Sequence, residues 1–113
     1  MYLTLIEEIR MAQPIISPDA MRAAADEASA LLRALGNKDR LLLLCQLSTG
    51  EACVSDLEEK CAVFQPSLSQ QLGVLRREGL VDTRREGKHI YYRVNNEDAL
   101  AVLQLLNKRF CVS

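Results

Sequence analysis

Four cysteines, at positions 45, 53, 61 and 111, and a single histidine, His89, are the side chains of this 113-residue chain best suited to soft-metal or redox chemistry. Cys53-Val54-Ser55 has the form of a chelating pair with one ligand replaced. A Cys-x-Cys at the mouth of a helix can hold a soft ion, and Cys-x-Ser holds one much less well. A composite thiol site built from Cys53 and Cys61 stays open, although no second ligand pair stands at an established metal spacing. Each cysteine also has a plainer reading as a small buried hydrophobe. One histidine, no glycine-rich phosphate loop and no paired nucleophile and base leave little catalytic machinery, so no enzyme is expected and no cofactor is implied.

The charge balance, 14 basic against 15 acidic residues, does not announce nucleic acid, so any basic face must be local. The length fits one domain. No apolar run reaches the roughly 18 residues of a membrane span. The start, MYLTLIEEIR, has two acids and no basic leader region, which makes it a poor signal peptide. A cytoplasmic protein is therefore expected, with no membrane partner, and stable structural disulfides are rare in that compartment.

The elements that must position these side chains follow from periodicity and caps. Residues 1–16, interrupted by Pro14, read as an N-terminal arm, and 17–113 as the folded domain. Ser17-Pro18-Asp19 is a helix start. Met21, Ala24, Ala25, Ala28, Leu31, Leu32 and Leu35 recur behind it at helical spacing, up to Gly36. That stripe suits either a dimer contact or an intramolecular core. Asn37 caps a second helix carrying LLLLCQL. Ser55-Asp56-Leu57-Glu58 matches a capping box and predicts a short third helix over about 55–62. A fourth helix is predicted from Pro66 to Gly79, which makes a helix-turn-helix candidate. LVDTRREGKHIYYRV then reads as two strands around Glu86-Gly87-Lys88. A last helix is predicted from Asn96 to Phe110-Cys111, with Ala99, Leu103, Leu106 and Phe110 as its apolar stripe. The fold class is mainly α with a two-stranded β-wing, in the winged helix-turn-helix order α-α-α-α-β-β-α.

On the fourth helix Leu68, Leu72 and Leu75 share one face and are expected inside. Gln70 and Arg77 point away, with Ser67 and Ser69 on the flanks, and an outward Gly73 makes sense if a backbone or a groove wall comes close. Gln and Ser can hydrogen-bond base edges or phosphates. Residues 67–94 carry Arg76, Arg77, Arg84, Arg85, Lys88 and Arg93 against Glu78, Asp82 and Glu86. This local positive excess, with the helix-turn-helix and the basic wing, points to DNA. A winged-helix module that binds only protein is the rival from another class, supported by the near-neutral total charge.

The segments LGNKDRLLLLCQL (35–47), GEACVSDLEEK (50–60), QPSLSQQLGVLRREGLV (65–81) and REGKHIYYRV (85–94) resemble the ArsR/SmtB family of winged-helix repressors. The resemblance implies a homodimer through the first and last helices, bound to an inverted repeat in double-stranded operator DNA and released by an inducer. By matching position it assigns recognition-helix contacts to Gln65, Ser67, Ser69, Gln70 and Gln71, and wing contacts to Arg84, Arg85, Lys88 and His89. Gln71 lies nearer the core face of the helix. The family's Cys-x-Cys metalloid site is incomplete here, and the last helix, EDALAVLQLLNKRF, lacks the histidine of the zinc and nickel type. No metal site is assigned, and a metal- or metalloid-responsive repressor using Cys53 with other thiols stays as an alternative. Cys45 and Cys111 instead resemble the cysteine pair of the persulfide-responsive subgroup of BigR, SqrR and YgaV. That likeness implies reactive sulfur species as inducer, acting through a Cys45–Cys111 disulfide or polysulfide bridge.

Overall fold

The computed structural model describes Leu5 and residues 17–111. The arm expected over 1–16 therefore lies, Leu5 apart, outside the described residues. Helix α1 spans Pro18–Leu35 and α2 spans Lys38–Leu47. A two-residue strand β1, Ala52–Cys53, leads into α3, Val54–Cys61. Helix α4 is Ser67–Arg77, strands β2 and β3 are Val81–Glu86 and His89–Val94, and α5 is Glu97–Phe110.

The caps explain most boundaries. The Ser17 hydroxyl accepts from the Ala20 N–H, the Asn37 side-chain carbonyl from the Arg40 N–H, and the Asn96 side-chain carbonyl from the Ala99 N–H. Helix α4 ends before the predicted Gly79, because Gly79 takes φ +73° outside the helix. The Leu80 N–H then bonds back to the Leu75 carbonyl, closing the turn. The start of α3 differs from the expected one. Cys53, not Ser55, is the capping position, because pairing of Cys53 with Tyr91 keeps it extended. The Asp56 carboxylate reaches back to the Cys53 N–H at 3.3 Å, and Ser55 sits inside the first turn.

The sheet has three strands, not two, in the order β1-β3-β2, all antiparallel. Two residues are too few to show a period of two, so β1 has no sequence signature; it exists because β3 offers it an edge. Gly87, at φ +62°, turns the β2–β3 hairpin.

Leu43, Leu44, Leu57, Leu68, Leu75 and Leu80 are fully buried, each worth about 1.5–3 kcal/mol of burial. Ala99 and Leu103 anchor α5 to them. Phe110, expected in the same stripe, is 81% exposed. On α1 only Ala34 and Leu35 are buried, and Met21, Ala24, Ala25, Ala28 and Leu32 are exposed. Within one protomer only the end of the predicted stripe reaches the core, through Leu35 and the half-buried Leu31.

Candidate nucleic-acid interface and thiol cluster

Helix α4 rests on Leu68, Leu72 and Leu75, which turns Ser69, Gln70, Arg76 and Arg77 outward. The five polar residues assigned to this helix and its entry are not equivalent. The Gln65 side-chain carbonyl accepts from the Ser69 N–H and hydroxyl at 3.1 and 2.7 Å, so this pair braces the start of the helix. The Ser67 hydroxyl donates to Asp39 at 3.2 Å. Gln71 accepts from Arg40 at 2.7 Å and is half-buried, as its position near the core face implies. Gln70 is exposed, and its amide holds no partner among the described residues.

Arg40 carried no signal in the sequence beyond its charge. Its guanidinium also donates to the Ala34 and Arg33 carbonyls, at 2.6 and 2.9 Å. It thereby satisfies the open C-terminus of α1 and ties that helix to α4.

The wing residues also divide. Arg84 is held by both oxygens of Glu51, by Glu86 at 2.6 Å, and over the Tyr91 ring at 4.6 Å. Its pKa is raised, first through the Glu51 hydrogen bond and then through Glu86, and Glu51 is held below the usual carboxylate range by the same contact. Arg93 pairs with Asp82 at 2.6 Å. Arg85 reaches only the Gly87 carbonyl, at 3.4 Å, and Arg85, Lys88 and His89 are exposed at the tip. Glu51 was not singled out by the sequence, since the contact joins residues 33 positions apart.

The four thiols are free and fall into two groups. Cys53 is buried at the start of α3, its sulfur 3.2 Å from the Asp56 carboxylate and 3.3 Å from the Ser55 hydroxyl. Cys53 and Cys61 stand at opposite ends of α3, about 12 Å apart along its axis. Zinc–sulfur bonds of about 2.3 Å cannot span that, so the composite site open to the sequence is not formed. Among the described residues no group of three or more His, Cys, Asp or Glu is placed to hold a metal ion.

Cys45, Cys61 and Cys111 make the second group. Half-buried Cys45 lines a cavity of about 200 Å³ between α2 and α5, with Ser48, Leu100, Leu103, Gln104 and Asn107. Positions 100, 104 and 107 lie on one face of α5, and Cys111 follows the last of them by one turn, its N–H bonded to the Asn107 carbonyl. Burial pushes the Cys45 thiol up, and the charge of nearby Cys111 pushes it further. On the other flank the buried Cys61 thiol donates to the Leu42 carbonyl of α2 at 3.6 Å. Cys61 is also pushed up, by burial and then by Cys45, with Lys60 pulling it down. An exposed thiol, Cys111, thus stands at the end of the helix whose face lines the cavity of the more sheltered Cys45.

Residues 37–83 match the bacterial regulatory protein arsR family. A biofilm growth-associated repressor from Agrobacterium fabrum is 48% identical over 81% of this chain and 79% of its own. The crystal structure of the transcriptional repressor BigR from Xylella fastidiosa superposes with a TM-score of 0.76 at 41% identity, covering 87% of this chain and all of that one. A homodimeric winged helix-turn-helix DNA-binding domain from Mycobacterium bovis superposes at 0.71, with 31% identity, 82% of this chain and 86% of that one.

Proposed function

This chain belongs to the arsR family of bacterial regulatory proteins, and on that premise we propose that it is a homodimeric, winged-helix transcriptional repressor released from its operator by reactive sulfur species. Residues 17–113 act as the DNA-binding and dimerisation unit. The recognition helix enters the major groove with Gln70 foremost; Gln65, Ser67, Ser69 and Gln71 shape and orient it. Arg85, Lys88 and His89 contact backbone from the wing tip, joined by Arg84 once a phosphate competes with its carboxylates. The two recognition helices of a dimer face an inverted repeat about one helical turn apart.

The observation that supports the sulfur reading is Cys45 in a small cavity between α2 and α5, with Cys111 one turn beyond the cavity-lining Asn107 and near enough to raise the Cys45 pKa. The Cys45 thiolate attacks the sulfane sulfur of a persulfide R–S–SH, giving Cys45–S–SH and releasing R–S⁻. The Cys111 thiolate then attacks the Cys45 sulfur, closing the disulfide and expelling HS⁻. With an organic trisulfide R–S–S–S–R, attack on the central sulfur leaves Cys45–S–S–S–R and releases R–S⁻. Attack by Cys111 on the same sulfur keeps it in a trisulfide bridge and expels a second R–S⁻. Either bridge ties α5, half of the expected dimer contact, to α2, which packs on α4. A small movement at one end then changes the spacing of the two recognition helices.

The test is peptide mass spectrometry on reduced protein treated anaerobically with an organic polysulfide or with peroxide, alongside operator titration of the same samples. A Cys45–Cys111 cross-link formed only with polysulfide, together with lost operator affinity, is the expected result. Both thiols free with binding abolished, or the pair linked with binding intact, sinks the reading.

A further inference from the structure

We propose that Cys61 is a second resolving thiol for Cys45, so that α3, α2 and α5 contribute a three-thiol row with Cys45 at its centre. The inference rests on the reading of Cys45 as the thiol attacked by sulfane sulfur. Cys61 closes α3, is 9% exposed, and belongs to the buried cluster against which Cys45 packs. Its hydrogen bond to the Leu42 carbonyl seats the sulfur on α2 one turn before Cys45. Residues three apart on a helix are surface neighbours, with Cβ atoms about 5–6 Å apart. The upward push of Cys45 on the Cys61 thiol agrees with that placement. Cys53 is excluded from the row, because Asp56 and Ser55 hold its sulfur at the far end of α3.

The chemistry is the same as for Cys111. The Cys61 thiolate attacks the Cys45 sulfur of Cys45–S–SH, a Cys45–Cys61 disulfide forms, and HS⁻ leaves with the electron pair of the broken bond. The persulfide is supplied by the same sulfane donor, which is reduced to R–S⁻. Burial disfavours the Cys61 thiolate, so exposed Cys111 wins when it is available. Cys61 takes over when Cys111 is blocked or already oxidised, storing the bridge inside one half of the reading head instead of between α2 and α5.

The test uses full-length wild-type, Cys111→Ser and Cys111→Ser/Cys61→Ala proteins, treated anaerobically with glutathione persulfide and digested after glutamate. Cleavage at Glu51, Glu58, Glu59, Glu78, Glu86 and Glu97 puts each of the four cysteines on its own peptide. Cys111 is exposed at a helix end, so its serine variant keeps the fold. The expected result is a Cys45–Cys61 cross-linked peptide in Cys111→Ser, at least tenfold more abundant than in wild type and absent from the double variant. Persulfide accumulating on Cys45 of Cys111→Ser without that cross-link overturns the inference and leaves the parent reading standing. A wild type lacking the Cys45–Cys111 link, while Cys111→Ser forms Cys45–Cys61, overturns the parent reading alone. An unmodified Cys45 in every protein overturns both.

Discussion

Cys45 reacts through its thiolate, and both burial and Cys111 oppose that form. A raised pKa means less thiolate at neutral pH, so reactivity climbs with pH and levels off above the range of an ordinary thiol. Iodoacetamide labelling of Cys45 against pH should show this, and Cys111→Ser should move the inflection down by removing the second cause. A profile that levels off at or below the ordinary thiol range contradicts the placement. On the proposed DNA face, Gln70 is exposed and its amide holds no partner among the described residues. Gln70→Ala should flatten the preference between operator and point-mutated operators, by about 1–3 kcal/mol at the affected position. Lys88→Ala should instead weaken all sequences alike and lower the salt slope by about one. Equal losses on every sequence for both variants would place the reading elsewhere.

Elements carry two further consequences. The Glu51 carboxylate opens the segment before β1 and holds Arg84 of β2, so on the proposed reading it competes with DNA phosphate for that guanidinium. Glu51→Ala should tighten operator binding and steepen its dependence on salt. Weaker binding in a salt titration would mean that the clamp positions the wing and does not compete. Gly73 sits on the outer side of α4, and a Cβ there meets only the flexible end of Arg77, at 3.3 Å. Gly73→Ala should therefore stabilise the free protein by about 0.5–1 kcal/mol in urea denaturation. Operator affinity should fall nonetheless, because the added methyl meets the groove wall that the glycine admits. Unchanged affinity would show that no wall comes close.

At the scale of the whole molecule, apolar surface is left over. Met21 and Leu32 of α1 and Leu105 and Phe110 of α5 are more than half exposed. The faces of α1 and α5 also line an open cavity of about 780 Å³ that includes Ala24, Ala28, Leu31, Ala101 and Val102. A second copy of the chain is the occupant proposed here, following the homodimeric Mycobacterium bovis domain of like fold. Leu105→Glu places a charge on that face without touching the core. It should yield folded monomer in sedimentation, with operator affinity down by at least tenfold as the two half-sites are no longer bound together. A dimer that survives this substitution is not built on α5.

The sequence by itself determined whatever depends on neighbours along the chain. The caps at Ser17, Asn37 and Asn96, the leucine face of α4 and the turn at Gly87 were legible because each is fixed by residues within one turn or one hairpin. The family was legible too, since its motifs are contiguous. The tertiary structure decided what depends on distant partners. It recruited Cys53 into a third strand through Tyr91, and so moved the start of α3 away from Ser55. It assigned Arg84 to Glu51 and Gln71 to Arg40, leaving Gln70, Lys88 and His89 without side-chain hydrogen-bond partners among the described residues. It separated Cys53 from Cys61 along a helix while bringing Cys61 to the flank of Cys45. Periodicity shows which face of an element is apolar; only packing shows what that face meets, because burial and ionisation depend on side chains that sequence separation does not order.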